Sequence, residues 1–335
     1  MSLLGRLLAF GPHAGAHRVA FRAGVSVFVP LLVLWLTGHL AWSVYAAFGA
    51  FTSLYGRERV DRARIRLQAT AGTFLVVAVC IGVAVGVSPH RAWLAVPVTA
   101  AVAGVASYLS FTQGWHPPGA MFAVFGVAAV AAQPHQWGDL GRALLVSVCA
   151  AVFALLVGNV GALYRRARRH AIDPPAAPIG ASIGVWHYTF QSVAGALVAG
   201  SIATSIGIGR PYWAMVGAVV PLAARELSVQ VVRGVHRVVG TLIGLLVAAV
   251  VLGLELHGLA LVVVITLLQT LTELVVGRHY GLALIFITPL ALAMNDLVRT
   301  TPTHTLLAER GLETVIGVAV ALALAYVTRR DNLAR

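Results

Sequence analysis

Arg233, Arg237, Gly240, Thr241 and Gly244 follow one another at i, i+4, i+7, i+8 and i+11. On a helix this spacing puts all five on one face. The arginines there offer planar, two-pronged donors that stay protonated, which is what an organic carboxylate needs as a partner. The glycines and the threonine let a second helix come close. A plainer use exists for the same side chains, because arginines at a membrane edge also anchor a helix by snorkelling.

The surrounding stretch, "RELSVQVVRGVHRVVGT" (Arg225–Thr241), has a counterpart 168 residues earlier, "RERVDRARIRLQATAGT" (Arg57–Thr73). In this first copy Arg62, Arg66, Thr70 and Thr73 form a similar stripe, turned by about one residue. The residues expected to meet an anion are therefore Arg225, Arg233, Arg237 and Thr241, with Arg62, Arg66 and Thr73 from the first copy.

Acids and histidines near these stripes are the candidates for proton coupling. Glu58 and Glu226 each follow an arginine near a membrane edge, where a carboxylate either pairs with a guanidinium or carries a proton. In "TLLQTLTELVVG", Thr266, Gln269, Thr270 and Glu273 share one stripe of an otherwise apolar run. A carboxylate inside such a run costs roughly 2.5–3.5 kcal/mol, and burial favours its protonated form. The alternative is that Glu273 reaches the water interface, since Gly277 follows shortly. Its aligned first-half position is Ser110, so coupling here is one-sided. His116 and His279 occupy matching positions, and histidine titrates near neutral pH; a solvated interfacial histidine is the other reading of each. Arg310, Glu313, Thr314 and Gly317 make one more single-face stripe, at the outer end of the last span. Arg310 and Glu313 are expected to pair there, with Arg142 as first-half counterpart, as an outer gate or exit site.

The elements that must hold these residues are membrane helices. The chain has 335 residues, 59% of them apolar and 10% charged, with a mean hydropathy of +0.88. So few charges cover a water-facing surface poorly. Spans of about 20 residues fall near 18–37, 40–55, 66–87, 92–111, 117–133 and 141–163. A second set falls near 187–207, 211–224, 236–255, 258–276, 280–295 and 311–328. The second and fifth of each set are short. The fold class is thus an all-α polytopic membrane protein of about twelve transmembrane helices, with ten or eleven left open.

All 24 basic residues are arginine. With the N-terminus inside and spans alternating, 19 of the 24 fall on the cytoplasmic side. The positive-inside rule then gives both termini inside, in the cytoplasmic membrane. The tryptophans at the span ends read as interfacial belts.

Beyond the repeated Arg-Glu/Gly-Thr pattern, "GWHPPGAMFAVFGVAA" aligns with "GRHYGLALIFITPLAL", and "RALLVSVCAAVFALL" with "RGLETVIGVAVALALA". The chain reads as two like-oriented six-helix repeats, 1–164 and 187–335, joined by a cytoplasmic linker at 165–186. Such repeats are related by a pseudo-twofold axis along the membrane normal, and the pathway is expected at their interface.

"PYWAMVGAVV" followed by "RELSVQVVRGVHRVVGTLIG" resembles the fusaric acid resistance family, most specifically through Arg233, Arg237, Gly240, Thr241 and Gly244. The resemblance is clear over roughly residues 210–330 and weaker over 40–165. It implies transport of organic anions, often weak aromatic acids. The family includes aromatic acid exporters, and its wider clan holds plant aluminium-activated malate channels, whose dimer the tandem repeat looks like in fused form. Ile65 and Ala69 replace the two motif arginines in the first half, and the large cytosolic domains common in the family are not in this chain.

The first functional reading is a secondary exporter of small organic anions, driven by the proton gradient. An anion channel or uniporter on the same scaffold is the second. A non-transporting protein that organises membrane lipids through its basic face is the third. The partners expected are a small organic anion and membrane lipids, and a homo-oligomer stays open. The net charge of +13 does not point to nucleic acid, because the arginines sit in short clusters between apolar runs. No phosphate-binding loop with lysine is present, nor any metal-ligand spacing, so neither cofactor nor enzymatic activity is expected. Cys80 and Cys149 lie singly within apolar runs and support no disulfide framework.

Overall fold

Each apolar run folds as a helix, because backbone in hydrocarbon must satisfy its hydrogen bonds internally. The computed structural model describes residues 3–13, 15–57, 59, 61–166, 183–297 and 302–329. The described residues are all-helical. The helices are α1 (Leu3–Leu7), α2 (Ala16–Leu36), α3 (Ser43–Ala50), α4 (Asp61–Gly86), α5 (Arg91–Gln113), α6 (Met121–Ala131) and α7 (Asp139–Arg166). They continue with α8 (Ile183–Ser205), α9 (Tyr212–Leu222), α10 (Leu227–Gly253), α11 (Gly258–Val275), α12 (Tyr280–Asp296) and α13 (Thr303–Val327). Short 3-10 turns flank α3 at Leu40–Trp42 and Phe51–Leu54. Most of the expected linker, 167–182, lies outside the described residues.

Among the described residues, seven helices are long and apolar enough to cross a membrane: α2, α4, α5, α7, α10, α11 and α13. Large apolar side chains point outward from them, among them Leu246 and Val250 on α10. This is the surface of a multi-pass membrane protein. The expectation of about twelve spans needs correcting in one respect. With 11 residues each, α6 and α9 reach about 16 Å, against a hydrocarbon core of about 30 Å. Their apolarity answers to burial within the protein: every residue of α9 is buried. A hydropathy pattern does not distinguish burial among helices from burial in lipid.

The two sets of helices pack alike. In the first, α3 lies on α7, and α4 on α6 and α7; in the second, α9 lies on α13, and α10 on α12 and α13. Across the seam α2 meets α11, α5 meets α8, and α6 meets α9. Val124 and Val127 of α6 share one buried cluster with Trp213, Val216 and Val219 of α9. The close approach expected of the Gly240–Gly244 face is present. A methyl group on Gly244 would come within 2.7 Å of the Leu284 carbonyl, and one on Gly240 would strike the Gly281 carbonyl. So α10 and α12 touch backbone to backbone.

Trp93, Trp137 and Trp186 are exposed, as belt residues should be, but Trp115 and Trp213 are buried. The last two are core residues instead of interfacial anchors.

Candidate functional site

Where the short helices meet the seam, a cavity of about 170 Å³ opens. Phe48 of α3, Phe51 just after it, Phe122 and Phe125 of α6, Trp213 of α9 and Tyr280 of α12 form its aromatic wall. Short helices suit this place, because elements of 11 residues leave room between the longer ones. Phe125 is 4.7 Å from Trp213 and 5.2 Å from Phe48, centroid to centroid, so the wall is continuous from one half to the other.

Three arginines reach this apolar space: Arg57, Arg237 and Arg310. Arg237 lies ten residues along α10 from Leu227, about 15 Å from that end. It is 2% exposed and its Nη1 donates to the Tyr280 hydroxyl at 2.9 Å. Its Nε has no partner. Arg310 lies seven residues into α13, about 10 Å along it, and is 1% exposed. Its guanidinium stacks over Trp213, while its Nε and Nη1 have no hydrogen-bond partner. Arg237 and Arg310 are near enough to repel each other. Buried guanidinium donors without acceptors, beside aromatic rings, have the chemistry that pairs with a planar carboxylate.

Arg57 stands at one end of the cavity with Glu273. Its Nη2 donates to Glu273 Oε2 at 3.2 Å, and Gln269 donates to Oε1 at 3.4 Å. Glu273 is 5% exposed, so it does not reach water as the alternative reading had it. The ion pair ties α11 to the segment after α3, across the seam.

Residues 185–324 match the family model described as fusaric acid resistance protein-like. Over that stretch the chain is similar to this family. That stretch runs from the start of α8 into the last turns of α13 and so contains Arg237, Glu273, Tyr280 and Arg310. Over 94 residues the chain is also 30% identical to the uncharacterized membrane protein YvaC of Bacillus subtilis (strain 168). That stretch covers 28% of this chain and only 15% of YvaC. No solved structure matches the chain.

Within the matched stretch, Arg237 is the motif arginine that reaches the cavity. Thr241 is fully buried one turn above it, its hydroxyl without a partner, and lies outside the cavity lining. Arg233 is half-buried and Arg225 exposed; the Arg225 guanidinium sits 4.6 Å from the Phe111 ring centroid. Glu226 is exposed and accepts from Ser228 at 3.4 Å.

The first-half stripe needs correcting. Arg62, Arg66 and Thr73 are exposed on the outer face of α4, while Arg64, Gln68 and Ala71 turn inward. The pattern of charged residues alone gave the wrong face. Gln68 receives Asn159 at 2.9 Å and donates to the Tyr55 carbonyl at 3.0 Å, a polar lock between α4 and α7.

His279 caps α12, its Nδ1 accepting from the Leu282 amide at 3.0 Å, and its Nε2 lies 3.0 Å from the Leu7 carbonyl. The ring is occupied in holding α1 against α12. His116 precedes a cis proline, and its carbonyl accepts from Gly56 at 3.1 Å. Neither histidine lines the cavity. Glu58 lies outside the described residues.

Arg310 and Glu313 do not form the expected pair. Arg310 turns to Trp213, and neither oxygen of Glu313 has a hydrogen-bond partner. The ion pair at that end of α13 joins Arg210 to Glu309 instead. Arg142 pairs with Asp139 at 2.9 Å on the surface of α7, away from the cavity. Sequence reasoning missed Arg57, Trp213 and Tyr280 as site residues. Arg57 stood in view as the first residue of the repeated Arg-Glu pattern.

Proposed function

We propose that the chain is a secondary transporter that exports small organic, chiefly aromatic, acid anions through this cavity. The observation that carries the reading is the pairing of an aromatic wall with Arg237 and Arg310, whose guanidiniums keep unused donors. An arginine deep in a membrane is costly and is by default a functional residue. The substrate ring lies among Phe48, Phe122 and Phe125, and its carboxylate takes the free N–H groups.

The same reading takes the two sets of helices as like-oriented repeats around the cavity, which the matching packing of α3–α7 and α9–α13 supports. The arginine-rich ends face the cytoplasm, with both termini inside the cytoplasmic membrane. There the Arg57–Glu273 pair closes the access route until an anion competes for Arg57. A pair that joins the halves favours a carrier over a permanently open channel.

The test is flux of labelled benzoate in proteoliposomes. Wild-type protein should move it saturably, and Arg237→Gln and Arg310→Gln should each reduce the flux at least tenfold. Equal flux through wild type and both variants would sink the proposal.

A further inference from the structure

Glu313 lies one turn beyond Arg310 on α13, outside the cavity lining, and is 0% exposed. Neither of its oxygens meets a hydrogen-bond donor, and it forms no ion pair with Arg310. A buried cation and a buried acid thus sit within one turn, neither neutralising the other by contact. Leaving either charge uncompensated in a protein interior is strongly unfavourable.

The other charged groups near Glu313 narrow its partners. On its own helix these are Glu309 and Arg310; Arg210 precedes α9 and is held by Glu309. Tyr212 faces it from α9. On α10 the nearest charge is Arg237, beside Arg310, and no titratable residue follows from Val238 to Gly253. On α8 none occurs from Phe190 to Ser205. Arg310 is therefore the cation that Glu313 must share.

An anion in the cavity changes that sharing. When a substrate carboxylate takes Arg310 Nε and Nη1, that guanidinium faces two carboxyl groups in a low-dielectric space, while Arg237 donates to the Tyr280 hydroxyl and makes no hydrogen bond to Glu313. Two neighbouring carboxylates cannot both stay ionised cheaply. One of them takes a proton, and the one in direct contact with Arg310 is the one whose charge is held.

We propose that Glu313 carries the proton that accompanies a substrate anion to Arg310, so that anion and proton bind together. The proton is taken from solvent when the anion binds and is given back to solvent when the anion leaves. The site then cycles between an ionised Glu313 one turn from Arg310, without contact, and protonated Glu313 with the Arg310–anion pair. Binding linkage is reciprocal, so the proton favours the anion as much as the anion favours the proton. This assignment rests on the cavity being the anion site. It moves the coupling role from Glu273, whose carboxylate is already held by Arg57 and Gln269, to Glu313.

The experiment is benzoate binding to the purified full chain in weak buffer, with proton uptake read from an indicator dye. Wild type should take up close to one proton per benzoate bound. Its affinity should fall as pH rises, by up to about tenfold per unit. Glu313→Gln should bind benzoate with no proton uptake and with an affinity independent of pH, while Glu226→Gln, on the exposed surface, keeps the uptake. Wild-type binding without protons overturns the role of Glu313 and leaves the anion site standing. So does a Glu313→Gln protein that still takes up the proton. A wild type that binds no benzoate overturns the anion site itself, and the coupling with it.

Discussion

The guanidinium carbon of Arg310 lies 3.8 Å from the centroid of a Trp213 ring, with both side chains buried. The two come from α13 and α9, helices that cross so closely that a methyl group on Gly217 would come within 3.1 Å of Gly317. The crossing sets the arginine against the indole face. A ring face stabilises a cation without consuming its N–H groups, so Nε and Nη1 of Arg310 stay without acceptors.

Trp213→Leu should therefore weaken benzoate binding. A cation–π contact is worth about 0.5–2 kcal/mol, which converts to a loss of roughly 2- to 30-fold in affinity. Trp213→Phe should recover part of it. Equilibrium binding to purified protein measures both. An unchanged affinity in the leucine variant would mean that Arg310 is held by something other than the ring.

The architecture was legible in the sequence because hydrocarbon imposes helices, and the boundaries of α2, α5 and α11 follow their apolar runs closely. Arg237 was legible because its spacing to Gly240 and Gly244 marks a packing face, and glycine stripes have only one side on which they are useful. The stripe of Arg62 and Arg66 failed for want of such a marker. Gly72 lies on the other side of α4, against Thr52, and would have selected Arg64 and Gln68. The Arg57–Glu273 pair spans 216 residues, and no local pattern encodes a contact of that range. The stacking of Arg310 on Trp213 was hidden for a different reason. An aromatic residue at the start of an apolar helix reads as a belt anchor, and only the burial of all of α9 makes it a wall.

The two classes of arginine should separate cleanly. Arg237→Gln removes a charged donor from the cavity. Hydrogen bonds to charged groups contribute about 1.5–3 kcal/mol, so benzoate affinity should fall by roughly ten- to a hundredfold. Arg62→Gln and Arg66→Gln alter the exposed face of α4 and should leave affinity unchanged. Loss of binding in the α4 variants, with retention in Arg237→Gln, would move the site away from the cavity.

The cross-seam ion pair should show itself in stability. Replacing only one partner, by Glu273→Gln or Arg57→Gln, leaves a partly buried charge behind, at a cost of about 1–3 kcal/mol. The double variant removes both charges and should be less destabilised than the sum of the singles. Thermal unfolding of the three variants in detergent reads the coupling directly. Strictly additive shifts would show that the pair contributes nothing to holding the halves together.

The tight faces of α10 offer the sharpest structural check, because two glycines of one helix should behave oppositely. Gly244→Val drives a branched side chain into the Leu284 carbonyl and Thr288, each within 2.8 Å of a Cβ. Neither is the free end of a flexible side chain, so α12 must move away, and overpacking of this kind costs about 1–3 kcal/mol. Since α12 carries Tyr280, the partner of Arg237, the same displacement should also weaken benzoate binding. Gly253→Ala adds a methyl group at the end of α10 with nothing within 4 Å. It should leave binding unchanged and move stability by no more than about 1 kcal/mol, in the favourable direction that helix propensity sets. The comparison needs only melting temperatures and one binding isotherm per variant. If Gly244→Val were as stable and as active as wild type, α10 and α12 would not be in backbone contact, and the placement of Arg237 in the cavity would lose its support.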